Sequence, residues 1–403
     1  MISVSLRKVC IKPNQMCLVK AHAAEKIVVM KQADLGLDLT TKRTRKREFL
    51  DEMERVVPWQ ALVDLVTPYA PEGRRGRPPF AVETMLRIHF MQQWFTLSDP
   101  AMEEALHDMP LFREFAGLNW DTRLPDETTI LRFRRRLEEH KPAPQILAVV
   151  NELLSAKGLL LRYGTVVDAT LIAAPSSTKN ASGERDPQMK QSQKGNQWYF
   201  GMKAHIGVDA ESGLVHTVRG TSGSVNDVVE ANALLHGEET EAWGDAGYQG
   251  AAKRSDAQDG VRWNIAMRPG KRRQLDKTKR VEQLIDQLER IKSSIRAKVE
   301  HPFRVIKRQF GHVKVRYRGL KKNTAQLHTL FALSNLWMAR RSLMGAQARV
   351  RLQAAWVPGI GLKVAGKPAN SRLNPRINSN QSHQHVPKWL KQAFLSHMAT
   401  LFL

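Results

Sequence analysis

Helical periodicity dominates the first third of the chain. Apolar residues recur at helical spacing in two stretches between Arg47 and His140, and they are Phe49, Met53, Val56 and Val57, then Met85, Ile88, Met91 and Phe95. This spacing is typical of amphipathic helices that bury one face. The polar segment "EGRRGRPPF" divides the two stretches. The pattern therefore predicts an all-helical region over residues 30–150.

The end of this region carries three arginines on a predicted helix. In "LPDETTILRFRRRLEEH", Pro125 and Asp126 are typical of a helix start. The apolar stripe of that helix is expected to be Ile130, Phe133 and Leu137. The arginines placed off the stripe are Arg132, Arg135 and Arg136. Two interpretations stay open, a solvated face with salt bridges and the recognition helix of a helix-turn-helix motif.

Strand patterns begin after about Gly158. "RYGTVVDATLIAA", "WYFGMKAHIGVD" and "SGLVHTVRG" predict three antiparallel strands, and the polar segment 175–197 between the first two is expected to be a mobile loop. A helix over about 225–235, a strand ending in "WGDAGYQG", a fifth strand in "VRWNIAMRPG" and a long helix from near Lys277 follow. This order predicts an α/β fold over residues 158–345, an RNase H-like mixed five-stranded sheet with flanking helices.

The two ends of the chain differ from these regions. Residues 1–29 match nothing around them in pattern, so we expect an N-terminal extension, and Met30 competes with Met1 as the biological start. Residues 346–403 contain no acids and many Asn, Gln, Pro and Gly. That composition predicts a basic, largely disordered tail.

Charge narrows the class of partner. The chain has 63 Lys and Arg against 39 Asp and Glu, and its pI is about 10.2, which indicates a polyanion such as DNA. No apolar run approaches the roughly eighteen residues that a membrane span needs, and lysines interrupt the first apolar stretches. We therefore expect a cytoplasmic, nucleoid-associated protein without a membrane partner. The two cysteines, Cys10 and Cys17, make neither a disulfide framework nor a four-ligand zinc site.

Three acids stand where chemistry is expected. Asp168 lies in the middle of an apolar strand, Asp245 lies where a strand meets a glycine turn, and Glu300 is the last acid of the chain, followed by eighteen Lys and Arg. At 100° per residue, Arg296, Glu300 and Lys307 fall on one face of the late helix. Converging carboxylates suit two Mg²⁺ or Mn²⁺ ions and phosphodiester chemistry. The alternatives are strand-end caps for the two aspartates and a salt bridge between Glu300 and Arg296.

The segments "VVDATLI", "GNQWYFGMKAHIGVD", "GDAGYQG" and "RAKVEHPFRVIKRQFG" resemble the catalytic segments of DDE transposases from bacterial insertion sequences, of the insertion-sequence-five type. Arg296, Glu300 and Lys307 stand at the spacings of that group's Tyr-Arg-Glu-Lys signature, whereas the tyrosine position holds Ser293. The resemblance implies that Asp168, Asp245 and Glu300 are catalytic metal ligands. Pro302 is a departure, because it lacks an N–H and is expected to kink the helix after the acid.

The resemblance also implies an activity and partners. We expect binding to terminal inverted repeats, cleavage at the element's ends, joining of the 3′-hydroxyls to target DNA, and a homo-oligomer, a dimer, on DNA. The residues expected to contact DNA are Arg296, Lys307, Arg74, Arg75, Arg77, Arg132, Arg135 and Arg136. Two alternatives stay open, an RNase H-like structure-specific nuclease without strand transfer and a DNA-binding regulator derived from a transposase.

Overall fold

The computed structural model describes residues 43–71, 77–140, 142–179 and 183–345. The predictions for the extension 1–29, for Met30 and for the tail 346–403 lie outside the described residues, as do Arg74 and Arg75. In the described part of the chain, no helix is long and apolar enough to cross a bilayer.

Within the described residues, seven helices build the region before the sheet, as the hydrophobic spacing predicts. They are α1 (Arg45–Val56), α2 (Trp59–Val66), α3 (Val82–Phe95), α4 (Asp99–Asp108), α5 (Pro110–Ala116), α6 (Glu127–Glu139) and α7 (Pro142–Ala156). Side-chain caps start several of them, because the first N–H groups of a helix have no partner within it. Thr44 accepts a hydrogen bond from the Arg47 N–H, and Asp126 accepts one from the Thr129 N–H. The helix start predicted at Asp126 is confirmed.

A mixed sheet follows. Its strands are β1 (Gly164–Ala173), β2 (Lys190–Lys194), β3 (Gln197–Asp209), β4 (Val215–Ser222), β5 (Glu241–Gly244) and β6 (Arg262–Ile265). β3 pairs antiparallel with β1, β2 and β4, whereas β5 pairs parallel with β1 and with β6. Central β1 therefore has one antiparallel and one parallel neighbour, and the predicted RNase H-like mixed sheet is confirmed.

The sheet has six strands, so the predicted count of five was wrong. The additional strand, β2, lies within the polar segment that was expected to be a mobile loop. Residues 195–196 form a tight turn between β2 and β3, and Gly195 takes a φ of +63°, which glycine adopts without strain. "KQSQK" has no apolar alternation, because neither of its faces joins the core.

Helices accompany the later strands of the sheet. They are α8 (Asp227–Glu230), α9 (Pro269–Arg273), α10 (Arg280–Arg296), α11 (Glu300–Arg304) and α12 (Leu320–Leu343). The helix predicted over 225–235 is instead α8 followed by a 3₁₀ turn. The long late helix is irregular on both sides of Pro302: Ala297–Val299 is a 3₁₀ turn and Val305–Gln309 is a π turn. A proline inside a helix removes one backbone hydrogen bond, which favours such irregular turns.

Helix α12 joins the helical region to the sheet. It packs against α7, β4 and α1, and one hydrophobic core continues from Leu50 to Ala339. Polar contacts also join α12 to the helical region. Gln326 Nε2 donates to Gln93 Oε1 at 2.9 Å, and Arg340 Nε donates to Glu52 Oε2 at 2.8 Å. Residues 43–345 therefore belong to one compact unit.

Candidate active site

Asp168 lies in the middle of β1, the central strand. Side chains alternate along a strand, so Asp168 shares a face with Val166 and Thr170. The side chain is partly buried, and its Oδ1 accepts a hydrogen bond from the Ala169 N–H at 2.7 Å. The pKa of Asp168 is raised from 3.8 to about 7. Burial is the main cause, and the Ala169 N–H lowers the pKa, Asp245 and Glu300 raise it, and Arg296 lowers it. The three predicted acids therefore lie close enough for their charges to act on one another.

Asp245 reaches this position by strand register. β1 and β5 run parallel, and Val166 stands opposite Trp243. Two residues further along each strand are Asp168 and Asp245, so the register carries both acids to the same edge of the sheet. Asp245 also caps the 3₁₀ turn that follows, because its Oδ1 accepts from the Gly247 N–H at 2.8 Å. The cap predicted as an alternative role is thus present, and it occupies one of the two carboxylate oxygens.

Glu300 comes from the late helix. It begins α11 immediately after buried Val299, and the 3₁₀ turn before it packs against β1. Arg296 faces Asp245 across the site, with Nη1 3.9 Å from Oδ2. Among the described residues neither Asp168 nor Glu300 has a salt-bridge partner, so the expected alternative, a pair between Glu300 and Arg296, is not formed. Glu300 is solvent-exposed and open to a ligand.

Lys307 ties the late helix to β1. Its Nζ donates to Thr170 Oγ1 at 2.6 Å and to the Leu171 carbonyl oxygen at 2.9 Å. Thr170 is on the same strand face as Asp168. Lys307 therefore fixes the helix carrying Glu300 beside the strand carrying Asp168. Its contact with DNA stays a prediction, as does that of Arg296.

A buried tyrosine borders the acids and was not predicted as a site residue. Tyr248, three residues after Asp245, is buried, and its hydroxyl has no hydrogen-bond partner within the described residues. Burial raises its pKa well above 10, and nearby Asp168, Asp227 and Asp245 add to the shift. Of these acids, Asp227 is itself paired, because Lys203 Nζ donates to its Oδ1 at 3.0 Å. The sequence offered one signal for Tyr248, its place in the turn after Asp245.

The donor set fits hard divalent cations. Three carboxylates converge, and burial of uncompensated acids is costly unless a cation neutralises them. Oxygen ligands are those that Mg²⁺ and Mn²⁺ take. These acids do not form a tight single-ion cage: in the described part of the chain, one group alone brings three ligand atoms within 4.8 Å of one another, and it is His216, His236 and Glu239. A pair of ions about 3.5–4 Å apart does not require such closeness among all three carboxylates.

A basic cleft of about 250 Å³ lies in the helical region. Its cationic lining residues are Arg77, Arg123, Arg132 and Arg136. The predicted stripe of α6 is confirmed, because Ile130, Phe133 and Leu137 are buried. Arg135 is exposed on the same helix but does not line the cleft. The structure therefore groups three of the arginines predicted to bind DNA, and their contact with DNA stays a prediction.

Arg134 differs from its neighbours on α6. It is buried, and its guanidinium contacts Asp99 Oδ2 at 2.7 Å and Glu138 Oε1 at 2.9 Å. The guanidinium also lies over the ring of Tyr317, 4.3 Å from its centroid. One interpretation of the sequence was that this helix carries salt-bridged arginines. Such an arginine is present, but it is Arg134 and not one of the three predicted positions.

Comparison with protein families agrees with the two regions of the structure. Residues 160–336, which contain the sheet and the three acids, match a family model described as Transposase DDE domain. Residues 38–136, which contain α1 to most of α6, match one described as Transposase domain (DUF772). The two matched regions together cover about two thirds of the chain, and both models describe transposase domains, which supports a DDE transposase.

Proposed function

We propose that this protein binds the terminal inverted repeats of its own mobile element, cleaves at the element's ends and joins the freed 3′-hydroxyls to target DNA. The insertion-sequence-five type and the Tyr-Arg-Glu-Lys signature group are part of the same proposal. The observation that carries it is the convergence of Asp168, Asp245 and Glu300 at one edge of an RNase H-like sheet. Both family matches support a transposase.

The proposed chemistry consists of two in-line displacements at phosphorus. In the first, a water attacks the phosphodiester at the element's end and a 3′-hydroxyl leaves. In the second, that 3′-hydroxyl attacks a target phosphodiester, the new joint forms, and the 3′-oxygen of the broken target strand leaves. When bound by Asp168, Asp245 and Glu300, two Mg²⁺ or Mn²⁺ ions would activate the attacking oxygen and stabilise the leaving oxygen.

The remaining residues of the site position the reactants. Arg296 lies beside Asp245 and is suited to hold a phosphate close to the acids. Lys307 holds the helix of Glu300 against β1 through Thr170 and Leu171. A shift of about an ångström in catalytic geometry can cost a hundredfold in rate. We therefore assign Lys307 a positioning role, in addition to the predicted contact with DNA.

DNA recognition is proposed for the helical region. Arg77, Arg132 and Arg136 line one cleft together with Arg123, so their charges act on a single stretch of DNA backbone. The excess of Lys and Arg over acids across the chain would strengthen that attraction. Action as a dimer on DNA belongs to the proposal too.

A strand-transfer assay tests the proposal. The full-length protein, Mg²⁺ and DNA carrying the element's ends are incubated with a target plasmid, and the joints are sequenced. The expected product has the element's 3′ ends joined to target DNA, in reactions with Mg²⁺ alone. Cleavage without joining would instead favour the structure-specific nuclease. Specific binding with neither reaction would favour the regulator.

A further inference from the structure

A second group of metal-binding side chains lies away from the three acids. His216 is on β4, and His236 and Glu239 are in the segment that leads into β5. One ligand atom from each lies within 4.8 Å of the others. Thr165, which contacts this group, is three residues before Asp168 on β1 and so faces the opposite side of the sheet. The group is therefore separate from the proposed catalytic centre.

One distance within the group matches that between two ligands of a zinc ion. His236 Nε2 lies 3.4 Å from Glu239 Oε1. Two ligand atoms bound to one tetrahedral Zn²⁺ at bond lengths of about 2.1 Å are separated by about 3.4 Å. Two histidines and one glutamate form a known type of zinc donor set, with a fourth position for water.

An unpartnered nitrogen points into this group. The His236 side chain is only 10% exposed, and its Nε2 has no hydrogen-bond partner among the described residues. A buried polar atom without a partner is costly, and a metal ion bound at Nε2 would remove that cost. On the other side of the ring, Nδ1 accepts a long hydrogen bond of 3.3 Å from the Glu238 N–H. Metal binding at Nε2 places the ring proton on Nδ1, which can then no longer accept from the Glu238 N–H. The hydrogen bond that is lost is the longest of those made by His216, His236 and Glu239.

The surroundings hold the other two ligands in place. Glu239 accepts from the His236 N–H at 2.5 Å and from the Gly237 N–H at 2.7 Å. His216 Nδ1 lies 2.9 Å from Thr217 Oγ1, so a hydrogen bond on that side can orient Nε2. The ring passes over Gly207 of β3, where a Cβ would lie 2.8 Å from His216 Cε1. A side chain at position 207 would therefore clash with both the His216 ring and the Leu234 backbone.

We propose that His216, His236 and Glu239 bind one zinc ion that links β4 to the segment entering β5. The metal-free alternative is a hydrogen-bonded network through Thr165, whose Oγ1 lies 2.9 Å from His216 Nε2 and 2.8 Å from Glu239 Oε1. The two differ in a measurable way, because only the zinc site retains a soft divalent metal in the presence of excess Mg²⁺.

The test uses the untagged full-length chain in excess Mg²⁺. Metal content after dialysis against trace Zn²⁺ is expected to be one zinc per chain, and Co²⁺ in its place is expected to give intense visible d–d absorption of a tetrahedral site. The Tm is expected to fall when a zinc chelator is added. Absence of bound zinc and of the cobalt absorption would overturn the proposal.

Two variants locate the metal. His236→Gln is expected to lose zinc and the chelator-dependent Tm shift, whereas His328→Gln, at a partly buried histidine of α12 with an unpartnered Nδ1, is expected to keep both. Should His236→Gln fail to fold, His236→Cys retains a zinc ligand, and its cobalt form is expected to show a new thiolate charge-transfer band. Metal retained in His236→Gln, or bound cobalt in His236→Cys without that band, would contradict the assignment.

Discussion

The acids of the helical region and those beside the sheet differ in whether a cation pairs with them. In the helical region, Asp99 and Glu138 both contact the guanidinium of Arg134. In the sheet, Asp168 is partly buried near Asp245 and Glu300, and Arg296 Nη1 lies 3.9 Å from Asp245 Oδ2. In the first group both acids contact one guanidinium, so these ion pairs serve the fold. The second keeps an excess of negative charge in a strongly basic protein, which is the arrangement a cation-dependent site requires.

The difference teaches how charge distinguishes a structural group from a catalytic one. A paired carboxylate gains nothing from a divalent cation, because its partner already stabilises the charged form. An unpaired, buried carboxylate has a raised pKa and is stabilised when a cation binds. The following predictions test this contrast, from the largest expected effect to the smallest.

Removing a carboxylate from the sheet group is expected to stop the chemistry. Asp168→Asn and Asp245→Asn keep side-chain size but lose the charge that would hold the metal, so Mg²⁺-dependent cleavage should fall about a thousandfold or more. DNA binding should persist, because the basic residues are unchanged. Cleavage of end DNA and gel-shift binding measure the two properties. Asp259→Asn, at an exposed acid outside the site, is the control and should cleave normally.

Breaking the helical group is expected to damage the fold instead. Arg134→Met leaves Asp99 and Glu138 without their cation, and removing one partner of a buried pair costs about 3–5 kcal/mol of unfolding free energy. Urea unfolding measures the loss. Arg135→Met, at the exposed neighbour on α6, should change stability by less than about 0.5 kcal/mol. Equal effects from the two substitutions would show that Arg134 is not a structural partner.

The same contrast predicts a pH effect on stability. The pKa of Asp168 is raised from 3.8 to about 7, so between these values the folded chain holds a proton that the unfolded chain releases. The unfolding free energy of the wild type should therefore fall as pH rises through this window, in the absence of divalent cations. Asp168→Asn has no such proton and should be more stable than the wild type at pH 8 by about 1–3 kcal/mol, after discounting for solvent.

Urea unfolding at pH 5 and pH 8 in chelator measures this difference. The advantage of Asp168→Asn should be larger at pH 8 than at pH 5, and Asp259→Asn should show no advantage at either pH. An advantage that does not change with pH would mean that Asp168 has an ordinary pKa in the folded chain.

The smallest effect concerns the basic cleft. Arg132→Gln or Arg136→Gln should weaken binding to end DNA several-fold and lower the slope of log affinity against log salt by about 0.9 for each phosphate that is no longer neutralised. The full-length chain is the right material, because the helical region shares its core with α12. Arg135→Gln is the control, because it removes a charge from the same helix but outside the cleft. It therefore distinguishes an effect of the cleft from an effect of the helix's charge as a whole. An unchanged salt slope for Arg132→Gln and Arg136→Gln would remove the cleft from the DNA interface.

The sequence predicted the elements that bury apolar side chains. The β-branched run of β1 and the stripe of α6 both follow from burial, which leaves a periodic signal. Strand β2 was missed because its side chains avoid the core and leave no such signal. Arg134 is a different case: its burial was not predicted, although it follows the helical spacing of Ile130, Phe133 and Leu137, which could have indicated it.

The site was predictable to a lesser extent. Mid-strand Asp168 and strand-end Asp245 stood out because each breaks an apolar pattern. The closeness of Glu300 depends on how the late helix packs against β1, and helical periodicity within one element does not determine that packing. The hydroxyl of Tyr248 and the group of His216, His236 and Glu239 depend on contacts between residues far apart in sequence, which local patterns do not reveal.

Glu300 offers the most direct test of the claim that the three acids form one catalytic centre, because it is exposed and comes from a separate helix. The measurement is Mg²⁺-dependent cleavage and joining of end DNA by Glu300→Gln, with DNA binding recorded on the same sample. A shared catalytic centre predicts that both reactions are lost while binding is retained or strengthened, since a negative charge has left a basic surface. Near-normal cleavage by Glu300→Gln would contradict it.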